Sequence, residues 1–145
     1  MPFLYFETKY AVQVHDQIIT NTGGFEGIKD EGHLCCILEH IRNDDYYPEL
    51  EDKLTYLMYS INKSHVFFDG NKRSSIALCA YFLQINGFES LVPCVVFRLE
   101  DIAVWVADNK ISRDLLREVF YSLLYEDEYS EELLLKLSRA VGALG

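Results

Sequence analysis

An apolar run from Ser75 to Ile85 follows directly on a loop crowded with polar groups, His65-Val66-Phe67-Phe68-Asp69-Gly70-Asn71-Lys72-Arg73-Ser74. The pairing predicts a helix over 71–86, apolar through Ile76, Cys79, Ala80 and Leu83, with Gly87 as its C-terminal stop. A helix apolar on most of its circumference belongs at the centre of a bundle. The fold therefore carries a histidine, a carboxylate, a glycine, an amide and two cations to one end of its central element. A polar turn feeding a buried helix also presents backbone N–H groups to an anion.

The rest of the chain has helical periodicity almost throughout. Residues 7–20 read as a helix with Tyr10, Val14 and Ile18 on one face, and His15-Asp16 within it as part of a polar face or as a structural hydrogen-bonded pair. Asn21-Thr22-Gly23-Gly24 ends that helix, and Asp30 caps a second over 31–42, striped by Leu34, Ile37, Leu38 and Ile41. After a loop at 43–48, where Tyr46 and Tyr47 are expected partly exposed, a third helix over 49–62 buries Leu50, Leu54, Leu57, Met58 and Ile61 and delivers the chain to His65. Leu91 to Phe97 is the one strand-like run, interrupted by Pro93, and supports no sheet. Further helices are expected over 100–109, around Ile102, Trp105 and Val106, and over 112–124, capped by Ser112, with Leu115, Leu116, Val119, Phe120 and Leu123 inward. A last helix begins at Ser130, beyond the acidic turn Glu126-Asp127-Glu128. The expected class is all-α, with residues 1–145 as a single domain.

A formal charge of −10 argues against a nucleic-acid binder, which needs basic surface to displace counterions. Yet Lys63, Lys72 and Arg73, three of the thirteen basic residues, gather in or beside the loop. The four cysteines, Cys35, Cys36, Cys79 and Cys94, have no metal-ligand spacing. No apolar run approaches membrane-spanning length, and Met1 to Phe6 is too short for a secretory signal. A soluble, cytoplasmic protein is the expectation.

The loop residues suggest a division of labour. Gly70 and Asn71 stand where the chain turns into a helix, so free N–H groups and the positive helix end can face a phosphate. Lys72 and Arg73 add charge, and Arg73 can clamp oxygens with a bidentate fork. Asp69 is a hard oxygen ligand suited to Mg²⁺, which binds through one or two carboxylates plus phosphates. His65 is the natural general base, the one group there with an unperturbed pKa near neutrality. Phe67 reads as the anchor that fixes the loop. Taken singly, Asp69 could be a helix cap and the cations merely solvated; together the groups suit transfer from a nucleoside triphosphate.

At these residues the sequence resembles the Fic/Doc family, and more closely its death-on-curing (Doc) branch. His65 to Arg73 fits a Doc-type pattern H-x-F-x-[DN]-[AG]-N-K-R and departs from the Fic pattern H-P-F-x-[DE]-G-N-G-R at Val66 and Lys72. His15-Asp16, the Gly23-Gly24…Gly27-Ile28…Asp30 loop, Ser60-Ile61-Asn62-Lys63 and Asn86-Gly87-Phe88 are similar to Doc proteins as well. The resemblance covers about the first ninety residues; the remainder is similar only as further helices.

The resemblance implies a helical bundle around the helix that follows the motif. It implies ATP as co-substrate and Mg²⁺ held by Asp69, with His65 as base toward a serine, threonine or tyrosine hydroxyl of a target protein. Gly70, Asn71, Lys72 and Arg73 would bind the phosphates. Fic enzymes generally transfer AMP, whereas Doc toxins transfer the γ-phosphate, with a threonine of a translation elongation factor as the implied target. Lys72 fills the space of the Fic glycine and favours phosphorylation; Gly70, where Doc toxins often carry alanine, leaves AMP transfer as the alternative, and a non-catalytic interaction module is the third reading. A small antitoxin whose disordered tail folds into a groove is the implied partner. Thr22-Gly23-Gly24-Phe25-Glu26-Gly27 fits the letters of a Fic inhibitory helix, but adjacent glycines, at about 1 kcal/mol each in a helix, make it a loop instead.

Overall fold

The computed structural model describes residues 2–142, so Met1 of the short apolar N-terminal run lies outside the described residues, as do the last three of the chain. Seven α-helices make up the described chain: α1 (Thr8–Thr22), α2 (Glu31–His40), α3 (Leu50–Ser64), α4 (Asn71–Ile85), α5 (Val92–Ala107), α6 (Arg113–Tyr125) and α7 (Glu131–Ala140). A short 3₁₀ turn, Glu89–Leu91, joins α4 to α5. The only β-type pairing among the described residues is one isolated bridge, and the protein is all-α as its periodicity predicts.

The central position of α4 follows from its sequence. It packs against α1, α3 and α5, and Leu78, Cys79, Phe82 and Leu83 are fully buried. Behind it α3 contributes Leu54, Leu57, Met58 and Ile61, and α6 contributes Leu116, Val119 and Phe120, all at 0% exposure. The expected caps at Asp30 and Ser112 form, accepting from the backbone N–H groups of His33 and Leu115, and Ser130 likewise accepts from Leu133 N–H. At the far end of α4, Gly87 adopts φ +90° and the Phe88 N–H returns to the Leu83 carbonyl. Asn86 ties the N-terminal segment to this end, accepting from the Leu4 N–H and donating to the Leu4 carbonyl.

Three expectations need correction. The run Leu91 to Phe97 is not strand-like: α5 starts at Val92, eight residues before the predicted start. Pro93 falls in its first turn, where the missing N–H has no intrahelical partner to lose and the fixed φ suits the helix. On α1 the buried line is Ala11, His15 and Ile19, one position on from the predicted Tyr10, Val14 and Ile18, which lie half-buried beside it. That rotation turns His15 toward the loop at the head of α4. In the 43–48 loop, Tyr46 is exposed and Tyr47 buried.

Candidate active site

The loop begins where α3 stops. His65 takes a left-handed conformation, φ +48° and ψ +55°, which ends the helix and leaves the imidazole exposed. Val66 and Phe67 then plunge into the core at 0% exposure. Asn71 closes the turn on itself: its Oδ1 accepts from the Phe67 N–H at 3.0 Å and its Nδ2 donates to the Phe67 carbonyl at 2.9 Å. The Asn71 amide is thus committed to loop geometry, so what it can offer an anion is its backbone N–H in the first turn of α4. Phe67 is the buried anchor.

A second segment runs alongside. The Val66 carbonyl accepts from the backbone N–H groups of Lys29 and Asp30 at 2.8 and 3.0 Å, and Ile28 pairs with Phe67 in the isolated antiparallel bridge. The link between α1 and α2 therefore lies against the motif and reaches the Asp69 carboxylate. Phe25 N–H donates to Asp69 Oδ2 at 3.0 Å, and Gly70 N–H donates to Oδ1 at 2.8 Å. These hydrogen bonds, first from Phe25 and then from Gly70, hold the Asp69 carboxyl below its usual range. Partial desolvation opposes them, and the Arg73 and Lys72 charges add to the lowering.

That shift has a testable consequence. A carboxyl whose pKa is lower in the folded than in the unfolded chain stabilises the fold above its unfolded value. The stabilisation fades as pH falls through the folded one. Thermal melts should show wild type gaining over Asp69→Asn by a constant margin at pH 5 and above, a margin that closes as pH drops below 3.8. A margin independent of pH would refute the assignment.

Arg73, one helical turn beyond Asp69, lies with Nη2 3.7 Å from Asp69 Oδ1. Its Nη1 donates to the Gly23 carbonyl at 2.9 Å and to the Thr22 hydroxyl. Gly70 caps α4 at φ +79°, and a Cβ there would stand 3.1 Å from Ile19 Cδ1. Lys72 is exposed and lines, with Arg73, a groove of about 560 Å³ between α1, α4 and α5. Asp69, Gly70 and Arg73 thus meet directly, Lys72 flanks them, and His65 stands at the opposite end of the loop. Thr22 ends α1 and Gly23 to Gly27 form no helix, in keeping with the loop reading of that segment.

Two contributors were not read as site residues from the sequence. One is the stretch Thr22 to Phe25, which supplies partners to both Arg73 and Asp69; its adjacent glycines signalled close backbone approach. The other is His15, fully buried, its Nε2–H donating to the Asp69 carbonyl at 2.7 Å and its ring stacked on Phe67 at 3.9 Å. Among the described residues no group of three or more histidine, cysteine or acidic side chains could hold a metal ion. No helix among the described residues is long and apolar enough to cross a membrane.

A helical domain whose central helix springs from a His-x-Phe-x-Asp-Gly-Asn-Lys-Arg loop is a defined combination of fold and site. Residues 5–83 match the Fic/DOC family, and the chain belongs to that family. It is 30% identical over 122 residues to Protein kinase doc of Escherichia phage P1, covering 77% of this chain and 91% of that protein. It is 39% identical over 70 residues to Toxin Doc of Mycolicibacterium smegmatis, a match that spans 48% of this chain and about half, 54%, of that relative.

Proposed function

We propose that the protein is a Doc-like toxin that acts as a protein kinase, moving the γ-phosphate of ATP to a hydroxyl of a target protein. One arrangement carries the reading. Asp69, the Gly70 mouth of α4 and the Arg73 guanidinium converge at one end of a loop whose other end exposes His65. The name of the phage relative, Protein kinase doc, points the same way.

The residues fit a magnesium nucleotide. Each Asp69 oxygen accepts one backbone N–H and keeps lone pairs free, and the carboxyl stays ionised. A single carboxylate supplemented by phosphate oxygens and water is the usual way Mg²⁺ is held. Bound there, the ion would neutralise phosphate charge. His65 takes the proton of the target hydroxyl, whose oxygen forms a bond to the γ-phosphorus as the bond to the bridging oxygen breaks and ADP leaves. The N–H groups at the head of α4, with Lys72 and Arg73, bind the phosphates.

AMP transfer, with attack on the α-phosphorus and loss of pyrophosphate, is the second reading. Gly70 favours it; Lys72, whose charged side chain occupies the place of the Fic glycine, favours the kinase. Incubation with a translation elongation factor and ATP labelled at either phosphate separates them. Protein-bound label is expected from the γ-position only, and label retained only from the α-position would overturn the kinase assignment.

The small antitoxin that the Doc resemblance implies has a ready groove. Ile18, Ile76, Ala77, Val96 and Val104 give this groove an apolar lining, which Lys72, Arg73 and Glu100 share.

A further inference from the structure

We infer that His15 is a positioning residue that sets the orientation of the Asp69–Gly70 peptide and thereby aims the Asp69 carboxylate. The inference rests on the kinase reading only for its activity arm.

A carbonyl oxygen can only accept, so the 2.7 Å contact from His15 Nε2 to the Asp69 carbonyl fixes a proton on Nε2. The Asp16 carboxylate lies 3.2 Å from the other nitrogen, Nδ1, at the exposed side of α1. Stacking on Phe67 at 3.9 Å, with the rings only 6° from parallel, fixes the remaining rotation. His15 is 0% exposed, so nothing competes with these partners.

The peptide it grips is the one in the loop most able to flip. Gly70 has no Cβ and populates either sign of φ readily; here φ is +79°. Rotation of the Asp69–Gly70 peptide would swing the carbonyl away from His15 and the Gly70 N–H away from Asp69 Oδ1. Both ends of that peptide are held, the carbonyl by His15 and the N–H by Asp69 itself at 2.8 Å. Only the His15 end is anchored outside the loop, on α1. The same peptide determines where the Asp69 side chain meets the Phe25 N–H and faces Arg73.

A side chain that merely fills the core and one that donates to the loop predict opposite rankings for two substitutions. His15→Phe keeps a ring to stack on Phe67 and removes the donor. His15→Gln gives up the stack but keeps an N–H at comparable reach. If His15 positions the peptide, amide spectra should show the Gly70 and Phe25 resonances displaced in His15→Phe and returned toward wild type in His15→Gln. Phosphoryl transfer should follow the same order: kcat falls roughly 10²-fold in His15→Phe, as misalignment of about an ångström costs, with KM for ATP nearly unchanged, and recovers in part in His15→Gln. Phe matching or outperforming Gln in the amide signals would overturn the proposal.

The amide signals require no nucleotide. Should wild type transfer no phosphate, the kinase reading fails while the positioning role is still decided by those signals. A third measurement needs no variant. In wild-type protein the His15 Nε2–H should appear as a slowly exchanging imidazole proton, and an Nε2 without a proton would refute the inference even if His15→Phe failed to fold.

Discussion

Replacing His65 with asparagine is expected to lower phosphoryl transfer by roughly 10²–10⁴-fold, the usual contribution of a positioned general base, while the fold survives. Asparagine is the informative choice because of the backbone. His65 sits at φ +48°, a region that costs an ordinary residue roughly 1–2 kcal/mol and that asparagine tolerates. Alanine would confound loss of the base with strain at the end of α3. The imidazole is exposed, so its removal leaves the core intact. His65 is assigned to the attacking hydroxyl and not to holding the phosphates, so KM for ATP should change little while kcat collapses. Expression of the wild type should slow growth of a bacterial host, and expression of His65→Asn should not. Equal transfer rates for the two proteins would remove His65 from the chemistry.

The helical frame was legible because it is written locally. The stripes of α2, α3 and α6 buried the residues their spacing singled out, and Asp30, Ser112 and Ser130 cap where a side-chain acceptor precedes an apolar run. The start of α5 was not legible, because Pro93 breaks a strand and opens a helix equally well and only packing against α4 decides between them. The face of α1 was misread for a related reason. A histidine on the buried line looks like an error in an apolar stripe until the carbonyl that accepts from it is known, and that carbonyl is 54 residues away.

The site divides the same way. The motif named its own residues, because histidine, carboxylate, glycine and cations are contiguous between His65 and Arg73. It did not reveal that the Asn71 side chain is committed to Phe67, nor that a second segment completes the cradle. The Phe25–Asp69 and Thr22–Arg73 contacts join residues 44 and 51 apart, and only the folded chain brings them together.

That second segment carries the other large expected effect. Gly24 lies at φ +127°, and a Cβ there would fall 2.6 Å from Asp69 Oδ2 and 3.2 Å from Arg73 Nη2. Gly24→Ala should therefore push the carboxylate off the Phe25 N–H and disturb the guanidinium beside it, lowering kcat by roughly 10²-fold. Backbone strain alone, of order 1–3 kcal/mol, would also lower the melting temperature, so the substitution needs a partner that shares the strain without the collision. Gly23 provides it: φ is +86°, and a Cβ built there meets nothing within 4 Å. Its carbonyl would still accept from Arg73. Gly23→Ala and Gly24→Ala should lose comparable stability in thermal melts, while only the second loses most of its transfer activity. If both retain activity, or both lose it in proportion to stability, the α1–α2 link is scaffolding. If they separate, the link is part of the active site, and Asp69 depends on a backbone outside its own motif.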